Sequence, residues 1–302
     1  MPILSTDVSY ADLNFLGVPR VIATGILQGR GGLALVDPGP STTLPALRAE
    51  LDRLGAAIAD VEALLLTHIH LDHAGATGTL VGENPRIRVF VHERGARHIV
   101  DPEKLLASAT RLYGADMDRL WGEVRPVPAN AVTALGGGER IEAGGRTLRV
   151  AYTPGHARHH VSYLIEDAGI AFVGDTAGIK LTPRGYVLPP TPPPDIDLDA
   201  WRDSLALIGA WRPDTLFLTH FGPSSPSAAH LAALADHLDL AATLARESLA
   251  REDSDEAREA WFTSELAGEL RRRMPAPEVD AYQIAGRFDL SWRGLARYWR
   301  TR

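Results

Sequence analysis

Residues 64–75 read LLLTHIHLDHAG. An apolar run reaches Thr67, and three histidines and an aspartate then follow within six residues: His68, His70, Asp72 and His73. The run VEALLLT has apolar residues on both faces, as a strand buried inside an α/β sheet requires. In an extended segment, residues two apart point the same way. His68 and His70 can therefore grip one ion together. A helix starting near Asp72 changes the chain direction and turns Asp72 and His73 toward a neighbouring position. Imidazole and carboxylate donors suit zinc, and also iron or manganese.

Further histidines and an aspartate sit where other apolar runs stop. LRVAYTPG leads to His156, IAFVG to Asp175 and TLFLT to His220. In layered α/β folds the edge at which strands end is where sites are built. LLLTHIH (64–70) and LFLTHFG (216–222) echo each other, which suggests two similar half-units whose strand ends face one place. A carboxylate such as Asp175, held between two cations, avoids the cost of an unpaired buried anion.

These stretches resemble the motifs of the metallo-β-lactamase superfamily. THIHLDHAG looks like its signature. TPGHARHHVSYL is similar to its third motif, FVGDTAG to its bridging-aspartate motif and LTHFGP to its last histidine motif, and together they span about residues 20–225. The resemblance implies an α/β, four-layer αβ/βα sandwich with two divalent metal ions between the sheets, zinc first and iron or manganese otherwise. By that match His68, His70 and His156 hold one metal, Asp72, His73 and His220 hold the other, and Asp175 bridges.

The match is nearest the glyoxalase II-like branch, whose members cleave thioesters, and its lactonase relatives. True lactamases generally lack the bridging aspartate and one class uses cysteine; this chain has Asp175 and no cysteine, so antibiotic hydrolysis is not expected. His159 stands where family members often have glycine, which alters the mouth of the site. The tyrosine that lactonases place after the bridging aspartate is absent, with Gly178 and Ile179 in that neighbourhood.

The expected chemistry is hydrolysis of a thioester, lactone or other activated ester. Two divalent ions make hydroxide available near neutral pH, and Asp72 is the catalytic carboxylate that orients the nucleophile or accepts its proton. Two alternatives on the same fold are a mononuclear iron persulfide dioxygenase and a phosphodiesterase or nuclease. His160, Lys180, Arg184 and Tyr186 are candidate substrate contacts. His92 is read as a helix cap, and His98, His230 and His237 as surface residues.

The remaining pattern sets the organisation. The 302 residues divide into a sandwich over 1–235, with a helical insertion at about 93–122, and a helical C-terminal extension over 236–302 packed on it. The insertion is a candidate lid or dimer contact, so a homodimer is possible. The net charge of −7, from 31 basic and 38 acidic residues, disfavours nucleic acid as the main partner and leaves a small molecule. The N-terminus lacks a secretory pattern, and no apolar stretch approaches a membrane span, so a cytoplasmic protein without membrane partners is expected.

Overall fold

The computed structural model describes residues 2–302. Seven strands form the first sheet in chain order: β1 (Ile3–Ser5), β2 (Val8–Asp12), β3 (Ala23–Gly29), β4 (Gly32–Val36), β5 (Val61–Leu65), β6 (Arg88–His92) and β7 (Val132–Leu135). Its first four strands run antiparallel, and β4 through β7 are parallel neighbours. Six more strands form the second sheet: β8 (Arg140–Ala143), β9 (Arg146–Tyr152), β10 (Val161–Ile165), β11 (Ile170–Phe172), β12 (Thr215–Leu218) and β13 (Gly222–Ser224). Their order is β13-β12-β11-β10-β9-β8, with only β11 and β12 parallel.

Helices cover the outside. Against the first sheet lie α1 (Leu44–Arg53), α2 (Leu71–Ala74) and α3 (Thr77–Glu83), followed by the insertion α4 (Glu93–Val100), α5 (Glu103–Tyr113) and α6 (Met117–Trp121). Against the second sheet lie α7 (Leu198–Trp211), α8 (Ser227–Leu249), α9 (Asp255–Arg271), α10 (Ala276–Gly286) and α11 (Phe288–Arg300).

Strand alternation explains the layering. In β4, Leu33 and Leu35 face the α1–α3 layer, while Ala34 and Val36 face the other sheet. In β6, Val89 and Val91 face outward and Phe90 faces inward. Both faces of these central strands are buried, so the fold has four layers: helices, sheet, sheet, helices.

The C-terminal helices share the core of the second sheet. Leu234, Leu238, Phe262, Tyr282 and Trp292 belong to the same apolar cluster as Phe172 and Phe217. The helix α8 runs without a break through residue 235. His230 and His237, read from sequence as surface residues, are buried at this junction. His230 Nε2 lies 2.7 Å from the Ala177 carbonyl and His237 Nδ1 2.8 Å from that of Val187. The charged residues around them in sequence occupy the opposite helical face. His92 caps α4 as expected, its Nδ1 accepting from the Arg94 amide.

Three short strands were not legible in the sequence. β1, β2 and β13 are three, five and three residues long, and β1 and β13 are sheet edges, so none carries a long apolar run. None of the described helices is long and apolar enough to cross a membrane.

Candidate metal centre

Five of the predicted ligands come after strands, and Asp72 and His73 lie on α2. His68 and His70 come after β5, His156 after β9, Asp175 after β11 and His220 after β12. Hydrogen bonds lock these ends together across the two sheets. The Val161 amide donates to the Thr67 carbonyl at 2.8 Å, the Ala23 amide to that of Thr219 at 2.8 Å, and Tyr163 Oη to that of Leu66 at 2.8 Å. Trp201, fully buried on α7, donates from Nε1 to the Thr176 carbonyl and so braces the turn that carries Asp175. That turn begins with Gly174 at φ 43°, where an added Cβ would fall 2.5 Å from Thr67 Oγ1 and 2.7 Å from His160 Nε2. Only glycine fits there.

The seven side chains converge. Nitrogen atoms of His68, His70 and His156 meet at one point: His70 Nδ1 lies 2.9 Å from His68 Nε2 and 3.0 Å from His156 Nε2. Asp72, His73 and His220 form a second group, with Asp72 Oδ2 3.3 Å from His220 Nε2 and 3.8 Å from His73 Nε2. Asp175 stands between them. Its Oδ1 is 3.3 Å from His73 Nε2 and 3.6 Å from His220 Nε2, and its Oδ2 is 3.4 Å from His156 Nε2.

Groups behind the rings fix their tautomers. A carbonyl oxygen only accepts, so His156 Nδ1 at 2.8 Å from the Pro190 carbonyl and His220 Nδ1 at 2.6 Å from the Val21 carbonyl must carry protons. Each Nε2 then presents its lone pair to the cluster. His73 Nδ1 is held the same way by Asp37 Oδ2 at 2.8 Å. Partners of this kind set ring orientation and ligand basicity.

Asp37 is the residue that sequence reading missed. It is fully buried at the end of β4, and its carboxylate collects four donors: the Thr67 amide (2.8 Å), Thr67 Oγ1 (2.7 Å), Thr219 Oγ1 (2.7 Å) and His73 Nδ1. The two Thr-His echoes are thus tied to one acid. The available signal was an aspartate ending an apolar run, as Asp175 does.

Charge within the cluster is balanced. Burial would raise the carboxyls of Asp72 and Asp175, but neighbouring His73 and His220 hold both below the ordinary range, Asp72 at about 2. Burial also opposes charge on His73 and His220, yet Asp175 and Asp72 raise both above the usual value. Burial, with neighbouring imidazoles, lowers His68, His156 and His70, the last to about 3.

The lowered group sets an acid limit. Once unfolded, His70 takes up a proton near pH 6.5, whereas folded it does not until about 3. Metal-free protein is therefore expected to lose stability as pH falls below 6.5, by about 2 kcal/mol at pH 5 from His70 alone. His73 and His220 act in the opposite sense, since stability from their raised values is present in acid and lost as pH rises through them. Urea melts of chelated protein between pH 7.5 and 5 measure the balance, and a flat or rising midpoint toward pH 5 contradicts it.

Donor chemistry fits metal ions. His73 Nε2 and Asp175 Oδ1 are buried with no hydrogen-bond partner among the described residues, a costly state unless a cation sits against them. With nitrogen and oxygen donors and no cysteine, the set suits zinc, iron or manganese.

The remaining candidates separate. A cleft of about 360 Å³ opens above the cluster, and His70, Asp72, His156, Asp175 and His159 line it. His160 does not reach it. It is fully buried, stacks on His68 with centroids 5.1 Å apart, and its Nδ1 lies 3.0 Å from Thr153 Oγ1. Lys180, Arg184 and Tyr186 are also elsewhere. After the Asp175 turn the chain pairs Ile179 with Leu188 and carries these three toward α8, where they line a separate depression with His237 and Arg273. Arg287 and Leu290 from the C-terminal helices do line the cleft.

The model of the metallo-β-lactamase superfamily matches residues 17–220. The chain belongs to that superfamily. Among its relatives, the metallo-β-lactamase fold-containing protein ST1585 of Sulfurisphaera tokodaii is 30% identical over 69% of this chain and 76% of its own length. A hydroxyacylglutathione hydrolase from a Synechococcus species is 30% identical over 47% of this chain, an alignment that spans 43% of that relative. Among solved structures, the metallo-β-lactamase family protein TTHA1429 of Thermus thermophilus superposes with a TM-score of 0.69 at 26% identity, covering 93% of this chain and 88% of its own. The protein is thus a metallo-hydrolase of this fold, with histidine and aspartate groups able to bind metal.

Proposed function

We propose that the protein is a dinuclear metal-dependent hydrolase of thioesters or similarly activated esters. The observation that carries this reading is the division of Asp175, one oxygen toward His156 and the other toward His73 and His220. A carboxylate placed so serves two cations better than one. The likeness to a hydroxyacylglutathione hydrolase supports a thioester. A single-iron oxygenase would leave Asp72, His73 and His220 without a purpose. A nuclease would want a basic groove, whereas Arg287, the cation on the C-terminal wall of this cleft, is already paired with Asp289.

His68, His70 and His156 would hold one ion, Asp72, His73 and His220 the other, with Asp175 shared. Bound there, the ions supply Lewis acidity toward the carbonyl and lower the pKa of water. The chain's own residues do the rest. Asp72 reaches the cleft while its Oδ2 faces His220, and being ionised it can take the proton of the attacking water. Asp37 and the Pro190 and Val21 carbonyls keep three rings in register throughout.

Elemental analysis of purified protein should find two divalent ions per chain, and thioesters should be the best substrates in a panel with lactones, phosphodiesters and persulfides. One iron per chain with oxygen uptake on a persulfide would overturn the reading.

A further inference from the structure

The walls of the cleft have a chemistry of their own. On one side lies α5, where Leu105, Ala109 and Leu112 share a helical face directed at the cavity. Only Ala109 is buried; Leu105 and Leu112 remain half-exposed, so this face is not consumed by the core. Pro192, Pro193 and Leu290, from other parts of the chain, also line the cleft.

Charge is nearly absent from these walls. Two charged groups stand on them and both are answered: Asp195, 3.7 Å from the Arg158 guanidinium, and Arg287. Arg287 Nε and Nη2 donate to the Asp289 carboxylate at 3.0 and 2.8 Å, and its guanidinium lies over the Tyr113 ring, 5.8 Å from the centroid. Lys104 and Arg111 line only the exposed rim. Ser108, Tyr113, His98 and His159 also line the cleft, but Leu105, Leu112, Pro192, Pro193 and Leu290 offer apolar surface on which a hydrocarbon arm would replace water.

We propose that this cleft seats an apolar acyl chain of medium length, so that the enzyme selects acyl thioesters with hydrocarbon arms over short or hydroxylated ones. The proposal rests on the hydrolase reading above and names the substrate class. In the reaction, water oxygen bonds the acyl carbon and the carbon–sulfur bond breaks. A carboxylate and a thiol leave, with one proton released.

The test uses metal-loaded enzyme and N-acetylcysteamine thioesters of acetate, butyrate, hexanoate, octanoate and 2-hydroxypropionate. kcat/KM should rise about fourfold per buried methylene until the cleft is full, with the hydroxyacyl ester no better than acetyl. Ala109→Trp, which fills the cavity, and Leu112→Asp, at a half-exposed position that tolerates the change, should each lower the hexanoyl-to-acetyl ratio at least tenfold. A wild-type ratio near one, or a ratio unmoved in both variants, overturns the proposal. Calorimetric titration with hexanoate and acetate keeps the two readings apart. Tighter hexanoate binding without turnover of any thioester would sink the hydrolase reading and sustain the apolar cleft. Equal binding of the two acids would sink the cleft.

Discussion

Asp72→Ala lowers kcat/KM by about a thousandfold or more, a loss of about 4 kcal/mol of transition-state stabilisation, while the protein still folds. Two roles are removed together. The carboxylate is one of three groups proposed to hold the second ion, 3.3 Å from His220 and 3.8 Å from His73, and it is also the ionised group that reaches the cleft. Its position explains why folding survives. The side chain is 23% exposed, on a four-residue helix, so truncation leaves no sealed cavity. In the metal-free state His73 and His220 keep Asp175 as counter-ion. Asp72→Asn separates the roles, since an amide oxygen still ligates weakly but cannot take a proton. If Asn lowers kcat as far as Ala does while two ions remain bound, proton transfer is the larger role. Either variant turning over within tenfold of wild type would remove Asp72 from the mechanism.

The site was readable because its ligands are local events at the ends of strongly apolar strands. THIHLDH and the Thr-His after TLFL follow strands whose two faces are both buried, and that pattern is visible without tertiary information. Asp37 follows the same rule, yet its carboxylate touches partners 30, 36 and 182 residues away. No spacing announces a group whose purpose is set by such distant contacts. Lys180, Arg184 and Tyr186 were placed by nearness in sequence to Asp175, and the pairing of Ile179 with Leu188 carries them to another surface. The converse holds for Arg287 and Leu290. They lie more than a hundred residues past Asp175, and only the packing of α10 and α11 against the second sheet brings them to the cleft. The fold and the gathering of histidines and aspartates were thus legible from strand ends and from the superfamily's motifs, while the walls of the cleft were not.

Substitution of Asp37 separates support of the fold from support of the metal. Asp37→Ala strands four buried donors at once, the Thr67 amide, two hydroxyls and His73 Nδ1. A buried donor left without a partner costs about 1–3 kcal/mol. Even with partial relaxation, a loss of about 3–5 kcal/mol is expected, a large share of the stability of an ordinary domain, read as a shift of the urea midpoint. Asp37→Asn is more informative. Its carbonyl oxygen keeps the Thr67 amide, so the amide nitrogen replaces Oδ2 and points at both hydroxyls and His73 Nδ1. The hydroxyls can rotate to accept, but His73 must change tautomer. Its proton moves to Nε2, the atom that faces Asp175 and Asp72, and the lone pair is lost to the second ion. The second ion should then bind about 10–100-fold more weakly, while the set of His68, His70 and His156 keeps its affinity, so a chelator titration that resolves two ions in wild type should resolve one strong and one weakened site. Two ions held with wild-type affinity in Asp37→Asn would mean that His73 does not ligate through Nε2, and the arrangement proposed for the second ion would fall with it.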